Sequence, residues 1–263
     1  MRNSLPRPSR PPHRPVVTLT TDFGTADTYV AAMKGAVLAR CRDAALVDIT
    51  HAISPQDIAG GSIALERAVA AFPSRTVHLA VVDPGVGTER RILVVRLNRS
   101  LIICPDNGLI TWAIRRHSGA AFFELQWRPP HASHTFHGRD IMAPAAAMLA
   151  TGRPPSRLAT PVNDPQLLDL HLAPPNASTG EIIHIDHYGN ATTNIPASHL
   201  RDFQGTITVA GQAIGPVRRT YADVPSGEPI ALVGSSDLLE IAVRNGSARA
   251  LLGLRVGDPI EFH

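Results

Sequence analysis

The chain has 263 residues, 44% hydrophobic and 18% charged, which is enough apolar material for one large domain or two modest ones. A net charge of +3 and 5% aromatic residues, with no basic patch interleaved with rings, argue against a nucleic-acid partner. No stretch approaches the roughly 20 apolar residues of a membrane helix, and Cys41 and Cys104 lack metal-site spacing and read as buried thiols rather than a disulfide framework.

Residues 1–15 carry Arg2, Arg7, Arg10 and Arg14 among prolines, without the apolar run of a secretory signal. They read as a disordered leader on a cytoplasmic protein. Residues 16–152 alternate strands and helices. Val16 to Thr20 is a β-branched strand ending in Thr21-Asp22-Phe23-Gly24, and Asp27 is placed to cap a helix running to about Arg40. Ala45 to Ile49 is a second strand, followed by Thr50-His51. A helix over residues 56–71 has Pro55 at its first turn. Residues 76–82 form a third strand that runs into Asp83-Pro84-Gly85-Val86-Gly87, then Arg90 and Arg91. Residues 92–97 and 100–104 are two more strands, the latter leading to Asp106-Asn107-Gly108. Helices are expected over 109–116 and 141–150. The alternation predicts an α/β domain with a mostly parallel sheet.

Residues 153–180 are proline-rich and read as a linker. Residues 181–263 contain short strands at 181–185, 205–209, 229–233, 238–243 and 259–262, the pattern of a smaller β-barrel domain.

Asp22, Asp48, Asp83 and Asp106 each follow a strand, and the carboxyl edge of an open α/β sheet is where ligands bind. Asp22 is either a bidentate acceptor for a ligand diol or an Asx turn. Asp48 and His51 form a structural pair or contribute to a metal site. His137, in Phe136-His137-Gly138-Arg139-Asp140, is a candidate general base or water-orienting group, and Asp140 either joins it or caps the helix behind it. Asp186 to Asn190, Thr192 to Asn194, Ser235 to Asp237 and Arg244 to Ala248 are polar, turn-like stretches in the β domain. Each suits either a hairpin or contacts to a zwitterion or purine edge. No dinucleotide, P-loop, Cys-x-x-Cys or serine-hydrolase motif is present. The acids and histidines also permit a metal-dependent phosphoesterase, and a non-catalytic adenosine-binding module is a third class.

In number and order these motifs resemble the S-adenosyl-L-methionine hydrolases (hydroxide adenosyltransferases), relatives of the S-adenosylmethionine-dependent fluorinase and chlorinase. The likeness runs from Val16 to the C-terminus. It rests on Thr21 to Gly24, Asp48 to His51, Val82 to Gly87, Pro105 to Leu109, Phe136 to Asp140, Gly189 to Asn194 and Leu239 to Ala242. The resemblance implies hydrolysis of S-adenosyl-L-methionine to adenosine and L-methionine, with no metal and no cofactor beyond the substrate. It implies a homotrimer whose sites lie at subunit interfaces. It assigns Asp83, Arg90 and His137 to a water-holding set that the halogenases lack, and Asp22 to the ribose diol. Asp186 and Asn190 fall at positions that contact adenosine or methionine, Ser235 at a methionine contact, and Arg244 to Ala248 near the adenine. Asp237 stands where the family commonly has glycine, and Leu238 where an aromatic is common. Arg244 interrupts the usual run after Ile241-Ala242.

Overall fold

The computed structural model describes residues 14–263, so the leader expected over residues 1–15 lies outside it except for Arg14 and Pro15. Two compact units divide the chain, Met1–Asp169 and Leu170–His263.

The N-terminal unit is built on seven strands: β1 (Val16–Thr21), β2 (Ala45–Thr50), β3 (Val77–Val81), β4 (Ile92–Leu97), β5 (Ser100–Pro105), β6 (Ala121–Leu125) and β7 (Ala159–Val162). Their order is β2-β1-β3-β5-β4-β6-β7. The pairs β2-β1, β1-β3 and β3-β5 are parallel, whereas β5-β4, β4-β6 and β6-β7 are antiparallel. The expected mostly parallel sheet is therefore a mixed one, parallel in the half that carries β1, β2 and β3. The reason is local. Only Asn98 and Arg99 separate β4 from β5, both with positive φ (49° and 65°). A two-residue turn of that kind joins antiparallel neighbours, since a parallel pair needs a long crossover. β7 lies within the stretch read as linker, and pairs with β6 from Phe122–Val162 to Leu125–Ala159.

Four helices cover this sheet: α1 (Tyr29–Leu38), α2 (Ile58–Ala71), α3 (Thr111–Arg116) and α4 (Ala143–Ala150). Alternation along β3 sorts its two faces. Val77, Leu79 and Val81 pack with Met33 and Val37 of α1 and the alanines of α4. Ala80 and Val82 pack with Leu65 and Val69 of α2 and Ala113 of α3. The result is a three-layer sandwich. Two helix starts differ from expectation. Thr28, not Asp27, precedes α1, and no side chain caps it. Asp57 caps α2, accepting from the Gly60 N–H at 2.9 Å, so Pro55 sits outside that helix. Cys41 and Cys104 are both buried and reduced, and burial pushes both thiols above their usual range.

His78 on β3 is fully buried, with Nδ1 2.9 Å from the Thr18 hydroxyl. Burial pushes its imidazole down from 6.5 to about 4. The folded protein thus refuses a proton that the unfolded chain accepts. Stability is fully present above pH 6.5 and declines as pH falls towards 4, by at most about 3 kcal/mol from this group. Urea unfolding at pH 7 and pH 4.5 should show a smaller acid loss in His78→Gln than in the parent. Equal losses in the two proteins would refute the assignment.

The C-terminal unit has eight strands: β8 (Thr179–Ile185), β9 (Ala191–Pro196), β10 (Ile207–Val209), β11 (Gln212–Gly215), β12 (Val217–Arg218), β13 (Pro229–Val233), β14 (Leu238–Val243) and β15 (Pro259–Phe262). The order is β11-β10-β15-β8-β9-β14-β13-β12. The edge strands β11 and β12 are separated in sequence by Pro216 alone, so the sheet curls until it nearly closes into a barrel. Ile182, Ile195, Ile207, Leu239, Ile241 and Ile260 fill its interior. One short helix, α5 (Ala248–Leu252), follows β14.

Candidate active site

The turn after β3 delivers Asp83. Its carboxylate meets the Arg90 guanidinium in a two-pronged pair, with Nε donating to Oδ1 at 2.8 Å and the second nitrogen donating to Oδ2. That same terminal nitrogen lies 3.1 Å from His137 Nδ1. The side chains of Asp83 and Arg90 are only 5% and 8% exposed, so the pair is shielded from bulk water. A guanidinium only donates, so Nδ1 must accept and the neutral ring carries its proton on Nε2. Burial first, then the Arg90 charge, hold the His137 imidazole below its usual range, against an opposing pull from Asp83.

The backbone explains why these three side chains meet. Gly87 has φ +84°, and a Cβ there would lie 2.7 Å from the His134 carbonyl oxygen. Only glycine lets the Asp83 turn close against the loop that precedes His137. His137 opens a π-helical turn, Gly138–Met142, that leads into α4. Asp140 neither caps this turn nor joins the set. It pairs with Arg139 at 2.6 and 2.8 Å and accepts from the Ser133 N–H at 2.9 Å, which fastens the loop before His137.

The other strand-end acids separate. Asp22 Oδ2 accepts from the Gln56 N–H at 2.8 Å. Asp48 is bound to Lys34 at 2.6 Å and to His51 at 3.0 Å, and His51 continues to the Thr21 hydroxyl at 2.8 Å. This chain of bonds braces the residue before Asp22. Asp106 is almost fully buried and engaged by Arg91. Among the described residues, no group of three or more His, Cys, Asp and Glu is placed to hold a metal ion. Three rings escaped the sequence reading. Phe23, Tyr29 and Phe136 contact one another edge-on or tilted at 5.3 to 5.9 Å and link the Asp22 loop to the His137 loop. Their signal was adjacency, since Phe23 follows Asp22 and Phe136 precedes His137.

In the C-terminal unit, Asp186 Oδ1 accepts from the Tyr188 and Asn190 N–H groups at 2.9 Å, and Oδ2 lies 3.3 Å from the Asn190 amide. This loop packs against the start of α5, where Ser247 caps the helix by accepting from Ala250 N–H at 3.2 Å. Ala248, the first residue of α5, is fully buried. Arg244 donates to the Val224 carbonyl at 2.7 Å and so fastens residues 222–224. Ser235 is exposed in the turn between β13 and β14. Asp237 in that turn has φ +56°, backbone that favours the glycine common at this place. Thr192, Thr193 and Asn194 are buried strand residues. Thr193 donates to the Leu239 carbonyl at 2.9 Å, and Asn194 accepts from Glu181 N–H at 2.9 Å. Tyr221 was not foreseen. Its hydroxyl donates to Glu240 at 2.6 Å, and burial, Glu240 and the more distant Asp186 push it up to about 12.

Gly189 closes the Asp186 loop. It has φ +85°, and a Cβ would lie 2.9 Å from Ser247 Cβ and collide with its hydroxyl. Gly189→Ala is expected to destabilise the protein by about 2 kcal/mol through strain and overlap. Thermal unfolding checks this, and a melting point matching the parent would refute it.

The SAM hydroxide adenosyltransferase N-terminal domain model matches residues 17–159, and the C-terminal domain model matches residues 180–261. An (R)-S-adenosyl-L-methionine hydrolase of Thermus thermophilus is 43% identical, covering 95% of this chain and 99% of that protein. One of Salinispora tropica is 38% identical, covering 94% and 97%. A fluorinase of Actinopolyspora mzabensis is 26% identical, covering 90% and 93%. A crystal structure of an uncharacterized conserved protein from Thermotoga maritima superposes with a TM-score of 0.87 at 33% identity, covering 94% of this chain and 99% of that one. With both of its domains matched in order, the chain belongs to the SAM hydroxide adenosyltransferase family.

Proposed function

We propose that this protein hydrolyses S-adenosyl-L-methionine to adenosine and L-methionine by in-line attack of water on the ribose C5′. The observation that carries this reading is the shielded Asp83–Arg90–His137 set. The hydrolase relatives, more similar than the fluorinase, support water over halide.

The sulfonium leaves as a neutral thioether, so its departure needs no acid. The demand falls on the nucleophile, because water is weak and C5′ is a primary carbon. A water must be held in line and relieved of a proton as the C–O bond forms. His137, with its Nε2–H, donates to that water and fixes one lone pair. Asp83 retains free lone pairs beyond its two bonds to Arg90 and accepts the water's proton. This assigns the proton to Asp83 rather than His137. Arg90 locks both groups and offsets the charge of the developing hydroxide, an effect enlarged by low exposure. Phe23 and Phe136 wall the site against bulk water.

Asp22 holds the ribose diol through the lone pairs that Gln56 leaves free. Asp186, Asn190, Ser235, Arg244 and the Ala248 backbone contact the adenosine and methionine parts. The protein acts without a metal or cofactor, as a cytoplasmic homotrimer with each site shared between subunits. Light scattering after size exclusion tests the trimer.

Incubation of EDTA-treated protein with S-adenosyl-L-methionine in ¹⁸O-water tests the reaction. Adenosine bearing ¹⁸O with equimolar methionine is expected. Intact substrate would sink the proposal in favour of a binding module. Activity only after adding divalent metal would sink the metal-free reading, and 5′-chloroadenosine in high chloride would move the protein to the halogenases.

A further inference from the structure

A second concave site lies at the opposite end of the N-terminal sheet from Asp83. A cavity of about 300 Å³ opens between the start of β3, the β4–β5 turn and the segment after α4. Arg75, Arg96, Arg99 and Arg153 form its rim, and all four are exposed. Val77, Leu101 and Leu149 lie beneath them. Among the described residues no carboxylate lines the cavity, and none of the four guanidiniums has a hydrogen bond or ion pair. Surface charge usually mixes both signs, so four unpaired like charges around one hollow repel one another.

Two ordinary explanations fail. Arginines near a helix C-terminus often bind its last carbonyls. Here three of the last four of α4 are already taken: the N–H groups of Thr151, Gly152 and Arg153 bond to Ala147, Leu149 and Met148, and the Thr151 hydroxyl also bonds to Met148. The helix dipole itself is worth about half a negative charge against four positive ones. Nor are the arginines freely placed surface residues. Arg75 (φ 74°) and Arg99 (φ 65°) both occupy left-handed backbone, where arginine is uncommon, and the Arg75 N–H bonds to the Arg99 carbonyl at 2.9 Å. The two are locked side by side at the rim.

We propose that this cavity binds a small organic phosphate, with phosphoryl oxygens on the guanidinium rim and an apolar or planar body on the aliphatic floor. Guanidiniums match phosphate oxygens in forked pairs and stack on planar rings, and the volume fits a compact ligand. The site is separate from Asp83, Arg90 and His137, and its occupancy does not depend on the reaction proposed for them.

Calorimetric titration tests this with two probes: inorganic tripolyphosphate, and ADP in saturating adenosine to fill any nucleoside site elsewhere. Both should bind saturably. The double variant Arg99→Glu, Arg153→Glu should weaken both by at least about tenfold, with turnover of S-adenosyl-L-methionine unchanged. If that variant unfolds, Arg96→Ala with Arg153→Ala serves instead. Absence of saturable binding by either probe, or equal binding by the variant, would overturn the proposal. So would arginine-dependent retention on phosphatidylserine vesicles or single-stranded RNA while ADP fails to bind, because the arginines would then serve an extended polyanion.

Discussion

Asp83→Asn is expected to lower kcat for S-adenosyl-L-methionine hydrolysis by about 10³-fold while leaving KM within a few-fold, because the change keeps the side chain's shape but removes the proton acceptor and the negative partner of Arg90. Asparagine keeps an oxygen for the Arg90 Nε–H that Asp83 Oδ1 now accepts at 2.8 Å. Alanine is the poorer test. It would strand a guanidinium that is only 8% exposed, and lost folding would then mimic lost chemistry. His137→Gln should cost about 10²-fold, and the double variant little more than Asp83→Asn alone, since the two groups act on one water. The pH profile separates their roles. His137 works as the neutral ring that accepts from Arg90 and donates through Nε2. Its proton affinity is already held low by burial and by Arg90, so activity should be flat through neutrality and fall only below the ordinary histidine value of 6.5. On protonation both ring nitrogens become donors and the bond to Arg90 is lost. His137→Gln should abolish that acid limb. A parental kcat in Asp83→Asn, or an acid limb unmoved in His137→Gln, would remove these residues from the mechanism.

How far the sequence could be read is clearest at Arg90 and Arg91. The motif around Asp83 marks a strand end with an acid and two following arginines. Successive residues near a strand point to opposite sides, so the two arginines had to part company. Which acid each would meet depends on strand order. Arg90 turns to Asp83, and Arg91 turns to Asp106 and Asp164. Four acids at strand ends therefore looked alike, yet Asp83 joins His137, Asp106 is tied up by Arg91, and Asp48 is consumed by Lys34 and His51. The antiparallel β4–β5 pair was legible in principle, since two residues cannot make a parallel crossover. β9 was not. Thr192, Thr193 and Asn194 are polar yet buried, the side chains of Thr193 and Asn194 bonding to neighbouring strand backbone, and no period in the sequence announces that. The helix starts moved by a few residues because several short polar residues compete to cap each one, and only packing chooses among them.

Asp106→Ala is expected to destabilise the fold by about 4 kcal/mol. Asp106 follows β5 and is 1% exposed. Its Oδ2 takes the Arg91 guanidinium at 2.7 and 2.8 Å, and its Oδ1 accepts the Gln166 N–H at 2.7 Å. Arg91 in turn reaches Asp164, at 2.8 Å to the carboxylate and 2.6 Å to the backbone carbonyl. One carboxylate thus ties the end of β5 to the start of β4 and to residues 164–166. The same segment is clamped again where the Leu168 N–H donates to the Thr111 hydroxyl at 2.9 Å, and a Cβ on Gly108 would strike Leu168. Truncation to alanine leaves the Gln166 N–H without its acceptor and strips Arg91 of its buried partner, and both costs fall on the folded state alone. Asp106→Asn keeps one acceptor oxygen, enough for the Gln166 N–H, but loses the charge and the acceptor that faces Arg91, so it should cost less than Asp106→Ala without matching the parent. The ion pair of Arg91 with Asp164 is the outer half of the network, and that carboxylate is largely in water, so Asp164→Ala should cost far less than Asp106→Ala. Urea unfolding of the three variants sets these values in order. A ranking in which Asp164→Ala costs as much as Asp106→Ala would mean that the network holds the segment from its exposed end, and that Asp106 is not its anchor.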